Sequence, residues 1–237
     1  MKKSAQPYLV VGCKPWNRRV FDETLAKLPG QWTFIGDKAE LTFERVAVLR
    51  PRFVFFLHWS WKVPDEIVQQ FECVCFHMTD VPYGRGGSPL QNLIVRGHTE
   101  TKLTALRMTA EFDAGPVYLK RSLSLLGGAE EILIRASVLS AEMIRTIATR
   151  LPKPKPQRGP VTVFKRRKPA ESAIPPLPTL GALHDFIRML DADGYPRAFL
   201  EVNGFRYELS RATIYEGRIV ADVTITQATT TTAGPTS

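Results

Sequence analysis

The chain has 237 residues, 44% of them hydrophobic and 23% charged, with a formal net charge of +9. These are ordinary values for a soluble globular protein, with chain enough for one compact α/β domain and a small appendage. No apolar run approaches the roughly 20 residues of a membrane helix, the N-terminal stretch lacks a signal peptide's apolar core, and a cytoplasmic protein is expected. The basic excess favours anionic partners: phosphates, polyglutamate, nucleic acid or acidic lipid.

The first half alternates strand-like and helix-like segments. Residues 8–12 form an apolar strand. A helix follows over 17–28, with Phe21, Leu25 and Leu28 on one face, stopped by Pro29 and Gly30. Strands are predicted at 31–36, 52–57 and 73–77, with short helices at 40–49 and 64–71 between them. Strands separated by helices imply right-handed crossovers and a mostly parallel, Rossmann-like sheet with helices on both faces. A Gly-rich loop leads into a helix with Ser88 as N-cap, Pro89 at the first position and Gln91 completing a capping box. Strands over 102–108 and 117–125 flank a turn at 112–116. A long helix runs over 130–149, its apolar stripe carried by Ile132, Ala136, Leu139, Met143 and Ile147. Residues 151–178 are rich in Pro, Lys and Arg and read as a solvated linker. A helix over 180–190 and strands at 198–202, 205–212 and 218–225 make a small α+β subdomain. The expected organisation is therefore a catalytic domain over 1–150, a linker over 151–178, a subdomain over 179–225 and a disordered Thr-rich tail over 226–237.

The three cysteines are Cys13, Cys73 and Cys75. An odd number with no secretion signal argues against a disulfide framework. Cys73, Cys75 and His77 alternate, which puts them on one face of a strand. Three ligands leave a zinc site short of its usual four, so a buried strand is the better account and no metal is expected.

Ligands in such sheets bind beyond the C-terminal ends of the strands. Three chemically dense segments fall there: 13–16 (Cys-Lys-Pro-Trp), 58–64 (His-Trp-Ser-Trp-Lys-Val-Pro) and 77–87 (His-Met-Thr-Asp-Val-Pro-Tyr-Gly-Arg-Gly-Gly). The glycine spacing of the third is not the dinucleotide fingerprint. A Gly-rich loop at a helix start can still hold an anion or admit a ligand to the backbone. Tyr83, Gly84, Arg85, Gly86, Gly87 and Ser88 are accordingly substrate-binding candidates. Lys14 and Arg85 are candidate phosphate contacts. Trp59, Ser60, Trp61, Lys62 and Val63 could flank a flat heterocycle; Trp59 and Trp61 could equally pack the core or an interface.

The third segment, together with the Asp113-Ala114-Gly115 turn, resembles the signature of the formyltransferase family, which includes methionyl-tRNA formyltransferase and the sugar N-formyltransferases. That family carries Asn-x-His, a Leu-Pro-x-x-Arg-Gly-like loop and an Asp-x-Gly turn some thirty residues on. The resemblance covers roughly residues 8–150. It implies that His77 and Asp113 are catalytic and that 10-formyltetrahydrofolate is the formyl donor. It also implies that the 58–64 loop, with Phe112 and Asp113, holds the pterin. The family's asparagine falls on Cys75, a weak donor without an amide's geometry. Asn92, one turn into the following helix, is a candidate replacement donor.

Formyl transfer to an amine is an acyl transfer, in which the attacking nitrogen loses a proton and an oxyanion develops. Histidine is suited to that proton transfer near neutrality, and an adjacent aspartate orients or charge-stabilises it. Alone, His77 would read as a satisfied histidine at a strand end, and Asp113 as a turn residue. Residues 76–80 and 186–196 are similar to stretches of bacterial sugar N-formyltransferases acting in surface-glycan pathways. The tRNA enzymes carry a sizeable C-terminal barrel, for which about 45 residues and two or three strands are too few. The expected substrate is therefore a nucleotide-linked amino sugar, with no nucleic acid or membrane partner and a homodimer allowed. Methionyl-tRNA formylation, or a non-catalytic folate- or nucleotide-binding relative, is the alternative.

Overall fold

The computed structural model describes residues 6–228, which cluster into two compact units. The first unit comprises residues up to 89, 98–126 and 132–166; the second takes 90–97, 127–131 and 167 onward.

The elements follow in chain order as β1 (Pro7–Gly12), α1 (Pro15–Glu23), β2 (Gln31–Ile35), α2 (Phe43–Leu49), β3 (Val54–Leu57), α3 (Asp65–Gln70), β4 (Cys73–His77), β5 (Arg85–Gly86) and α4 (Pro89–Ile94). After them come β6 (Glu100–Arg107), β7 (Val117–Ser124), α5 (Ala129–Arg150), β8 (Val163–Phe164), α6 (Leu180–Arg188), β9 (Ala198–Val202), β10 (Phe205–Tyr215) and β11 (Arg218–Gln227).

The main sheet of the first unit has the order β2-β1-β3-β4-β6-β7. Its first four strands are parallel, β6 returns antiparallel beside β4 with His77 opposite Thr104, and β7 pairs antiparallel with β6 and so runs with the first four. This is the expected Rossmann-like α/β fold. Leu9, Val11, Val54, Phe56 and Cys73 bury one face with Leu41, Val46, Val63 and Ile67. On the other face Tyr8 donates to the Ala148 carbonyl of α5 (3.4 Å). Because β2 lies on one side of β1 and β3 on the other, the chain reverses direction between β1 and β3. The crevice that opens at such a reversal lies past Gly12 and Leu57.

The second unit is an antiparallel sheet, β11-β10-β9, with α6 and buried Phe186, Ile187, Met189, Leu190 and Ala198. Thr179 caps α6 by accepting from the Ala182 N–H (3.1 Å). β11 runs through Thr226 and Gln227, which pair with Arg206 and Phe205, so the final strand is longer than predicted. The rest of the expected tail, 229–237, lies outside the described residues.

Two helix starts differ from expectation. α1 begins at Pro15, because Asn17 accepts from the Lys14 N–H (3.1 Å) and closes the turn early. Ser88 sits at φ 50°, in the left-handed region rather than the extended geometry of an N-cap, and Gln91 Nε2 donates to the Met189 carbonyl (3.2 Å). Among the described residues no helix is long and apolar enough to cross a membrane.

Candidate functional site

β4 ends at His77, and the chain turns back on itself through residues 78–87 so that the Gly84 carbonyl meets the imidazole. That carbonyl accepts from His77 Nε2 (2.7 Å) and from Thr79 Oγ1 (3.2 Å). A carbonyl oxygen can only accept, so Nε2 carries a hydrogen, and in the neutral ring Nδ1 is then the basic nitrogen. Nδ1 faces Asp113 Oδ1 at 3.5 Å, both side chains being largely buried. The other carboxylate oxygen, Oδ2, accepts from the Gly86 N–H (3.0 Å). Asp113 therefore has one oxygen tied to the loop and one held beside the imidazole. A proton arriving at Nδ1 creates an imidazolium directly against a carboxylate, an arrangement that can take up and return a proton there.

Local sequence explains the placement. Asp113 sits at φ 54°, a conformation aspartate tolerates better than most residues. Two residues later, a Cβ on Gly115 would lie 1.8 Å from the Arg107 carbonyl oxygen, so only glycine lets the turn close on the end of β6. Thr104, beside His77 in the register, donates to the Thr79 carbonyl (2.7 Å) and anchors the return of the loop.

The loop amides are consumed by the protein. The Gly84 and Arg85 N–H groups both donate to the Thr162 carbonyl (3.0 Å each), and Gly87 N–H donates to the Phe164 carbonyl (3.1 Å). With Gly86 N–H on Asp113, what the loop offers a substrate comes from side chains and carbonyls, not from an amide cradle of the kind its glycines predict. The glycines instead admit the connector: a Cβ on Gly86, at φ 98°, would meet the Phe164 carbonyl at 2.5 Å. Arg85, a phosphate candidate, pairs with Glu111 (3.3 Å) and donates to Gln157 Oε1 from Nε (3.1 Å) and Nη2 (2.9 Å). Tyr83 bonds His98 (3.2 Å) and packs edge-on against Phe164.

Cys75 is two residues up the strand from His77. Burial, with Asp113 nearby, pushes its thiol far above the ordinary cysteine range, so it is a neutral thiol. Burial likewise pushes Cys73 up to about 12; it belongs to the core. Asn92 lies on α4 in the second unit, where its side-chain oxygen accepts from Arg96 (2.9 Å).

The β1 and β3 ends meet at the crevice. Cys13 Sγ donates to the His58 carbonyl (3.0 Å), joining the two loops. Burial, and secondarily Lys14, lowers His58 to about 4, so this imidazole is neutral at physiological pH. Lys14 lies 5.7 Å from the Trp16 ring centre. Trp59 and Trp61 stand edge-to-face at 4.8 Å. Trp59 packs against the core, and its buried indole N–H has no acceptor among the described residues. Trp61 and Phe112 are exposed, and Ser60 is at the surface. Lys62 pairs with Asp65 (2.8 Å) and Val63 is buried in the core, so these two serve the α3 turn. The edge-to-face Trp59–Trp61 pair can flank a flat heterocycle.

The support that sequence reasoning missed is the connector. β8 pairs with β5, and Lys155 exchanges backbone hydrogen bonds with Val117 (2.7 and 2.8 Å). The signal was the run Val161-Thr162-Val163-Phe164, strand-forming residues amid Pro, Lys and Arg. The same segment and the start of β7 line a cleft of about 860 Å³ that includes Lys120, Lys153, Lys155 and Arg158.

Fold and site thus define a Rossmann-like α/β protein with a buried His77–Asp113 pair at the end of β4. A structure of methionyl-tRNA formyltransferase from Clostridium thermocellum is 45% identical, with a TM-score of 0.90, and the alignment covers 94% of this chain and 100% of that one. The family profile described as "Methionyl-tRNA formyltransferase, C-terminal domain" matches residues 169–226. A methionyl-tRNA formyltransferase of Sinorhizobium medicae is 31% identical over 151 residues, 60% of this chain and 48% of that protein. A 4-N formyltransferase structure from Francisella tularensis is 13% identical with a TM-score of 0.64, covering 91% of this chain and 96% of that one, and shares the fold. The chain belongs to the formyltransferase family. It spans less than half the length of the curated relatives it matches, 45% and 48%.

These comparisons correct the expected substrate. The choice of a nucleotide-linked amino sugar, and of no nucleic acid partner, rested on the missing C-terminal barrel. The Clostridium thermocellum structure carries the methionyl-tRNA name and is matched over its full length by this chain, so the barrel is not diagnostic. Residues 186–196, read as a sugar-enzyme signature, fall inside the tRNA-enzyme profile. Their polar groups build the second unit: Arg188 pairs with Asp185 (2.6 Å), and Asp191 accepts from the Arg211 N–H (2.6 Å) at the bulge of β10.

Proposed function

We propose that this chain transfers the formyl group of 10-formyltetrahydrofolate to the amine of methionyl-tRNA. The observation that carries the reading is the buried His77–Asp113 pair, in a chain 45% identical to a methionyl-tRNA formyltransferase of Clostridium thermocellum. The donor supplies an activated formyl carbon. Trp59, Trp61 and Phe112 are the residues suited to hold it. His77 Nδ1 accepts the proton the attacking amine sheds, Asp113 stabilises the resulting imidazolium, and the same proton is returned to the leaving nitrogen of the donor. Gly84 keeps the tautomer that leaves Nδ1 basic. With Cys75 a neutral thiol, the histidine–aspartate pair carries the proton traffic without an amide side chain at that position.

The basic cleft and the net charge of +9 support an RNA substrate. Lys153, Lys155 and Arg158 are the candidate phosphate contacts, positioning the RNA rather than reading its bases. A cytoplasmic location accords with this substrate. The test is direct: the protein, the donor and methionyl-tRNA are incubated, and the aminoacyl group is released and weighed. Formylmethionine is expected. Its absence, with tetrahydrofolate still bound, would favour a non-catalytic folate-binding role.

A further inference from the structure

We propose that Gln157, on the connector, is a positioning residue that holds Asp113 against His77; the proposal rests on the formyl-transfer reading of that pair. Its carboxamide joins three segments. Nε2 donates to the Asp113 carbonyl (2.7 Å) and the Gly115 carbonyl (2.8 Å). Oε1 accepts from Arg85 Nε (3.1 Å) and Nη2 (2.9 Å). These four bonds use the two donors and two lone pairs of the group completely. Two carbonyls on one side and a guanidinium on the other fix which end is which, because the flipped amide would oppose like groups at all four contacts.

The turn needs such a hold. Asp113 is a non-glycine residue at φ 54°, a conformation that persists only when the surroundings enforce it. Gly86 fixes the carboxylate and Gln157 fixes the backbone carbonyl, so the aspartate is gripped at both ends and Oδ1 stays 3.5 Å from Nδ1. Gln157 is itself fixed from both sides: Lys155 is bridged to Val117, and β8 is paired with β5. Other side chains fail for specific reasons. Glutamate sets a carboxylate against two carbonyls, lysine cannot accept from Arg85, and asparagine is a methylene short.

The test uses two variants, Gln157→Met, which keeps length and loses all four bonds, and Gln157→Ala. Val161→Ala, an exposed connector residue, is the control. Both Gln157 variants should lower kcat about 10- to 100-fold, the scale of a 1 Å misplacement. KM for the donor should change less than about threefold, since the four bonds of Gln157 go to the Asp113 turn and Arg85; Gln157 also lines the proposed RNA cleft, so KM for methionyl-tRNA does not bear on the proposal. The ring ¹⁵N resonances of His77, read by NMR without substrate, should move in both variants and not in the control. A kcat within threefold of the parent, a change confined to the donor's KM, or unmoved His77 resonances would each overturn the proposal. If the parent transfers no formyl group, the functional reading falls, while the His77 resonances still decide whether Gln157 positions the pair.

Discussion

At the scale of single residues, the pair His77 and Asp113 should behave as one device. His77→Ala and Asp113→Asn each remove the same proton acceptor–stabiliser unit, so each should lower turnover by about 10²–10⁴ and the double variant should be little worse. Additive losses in rate measurements would separate the two residues. Cys75→Ala should cost far less, because a neutral thiol contributes little donor strength. His58 makes a different prediction. Its folded value near 4 lies below the ordinary 6.5, so the unfolded chain binds a proton in that window and the folded chain does not. Its contribution to stability is present above about pH 6.5 and is lost as pH falls towards 4. Urea midpoints measured at pH 7 and pH 4.5 should therefore converge in His58→Gln relative to the parent. An unchanged decline in the variant would assign the acid sensitivity to other groups.

At the scale of elements, the closest approach is at the turn into β7. Gly115→Ala drives a Cβ into the Arg107 carbonyl and should destabilise by about 3 kcal/mol or more. Gly97→Ala, with nothing within 4 Å, carries only its left-handed φ and should cost about 1 kcal/mol. Denaturation of the two variants side by side distinguishes contact from conformation. The strands and helices of both units were legible in the sequence, because alternation and helical periodicity report burial directly. His77 and Asp113 were legible as a constellation only through the resemblance to the formyltransferase signature; alone, one reads as a strand-end histidine and the other as a turn residue. The connector was not. Its prolines and charges describe its outer face, while its inner face is made of backbone pairing and two side chains, Gln157 and Phe164, that leave no periodic trace. The glycines of the loop were legible as tight spots, but the partner that required them was the connector rather than a ligand.

At the scale of the molecule, the excess of positive charge acquires a location. Replacing Lys153, Lys155 and Arg158 together by alanine should flatten the slope of log K against log salt for tRNA by about 2–3, while leaving the KM for the folate donor unchanged. An unchanged slope would place the RNA elsewhere. On the function proposed above, this chain, with its compact three-stranded C-terminal sheet, formylates methionyl-tRNA through His77. The most direct measurement is a single-turnover reaction of enzyme in excess over methionyl-tRNA with 10-formyltetrahydrofolate, run on the parent and on His77→Ala. The account predicts formylmethionine in the parent and a rate at least about 100-fold lower in the variant. Equal rates in the two proteins, or no formylmethionine from the parent, would contradict it.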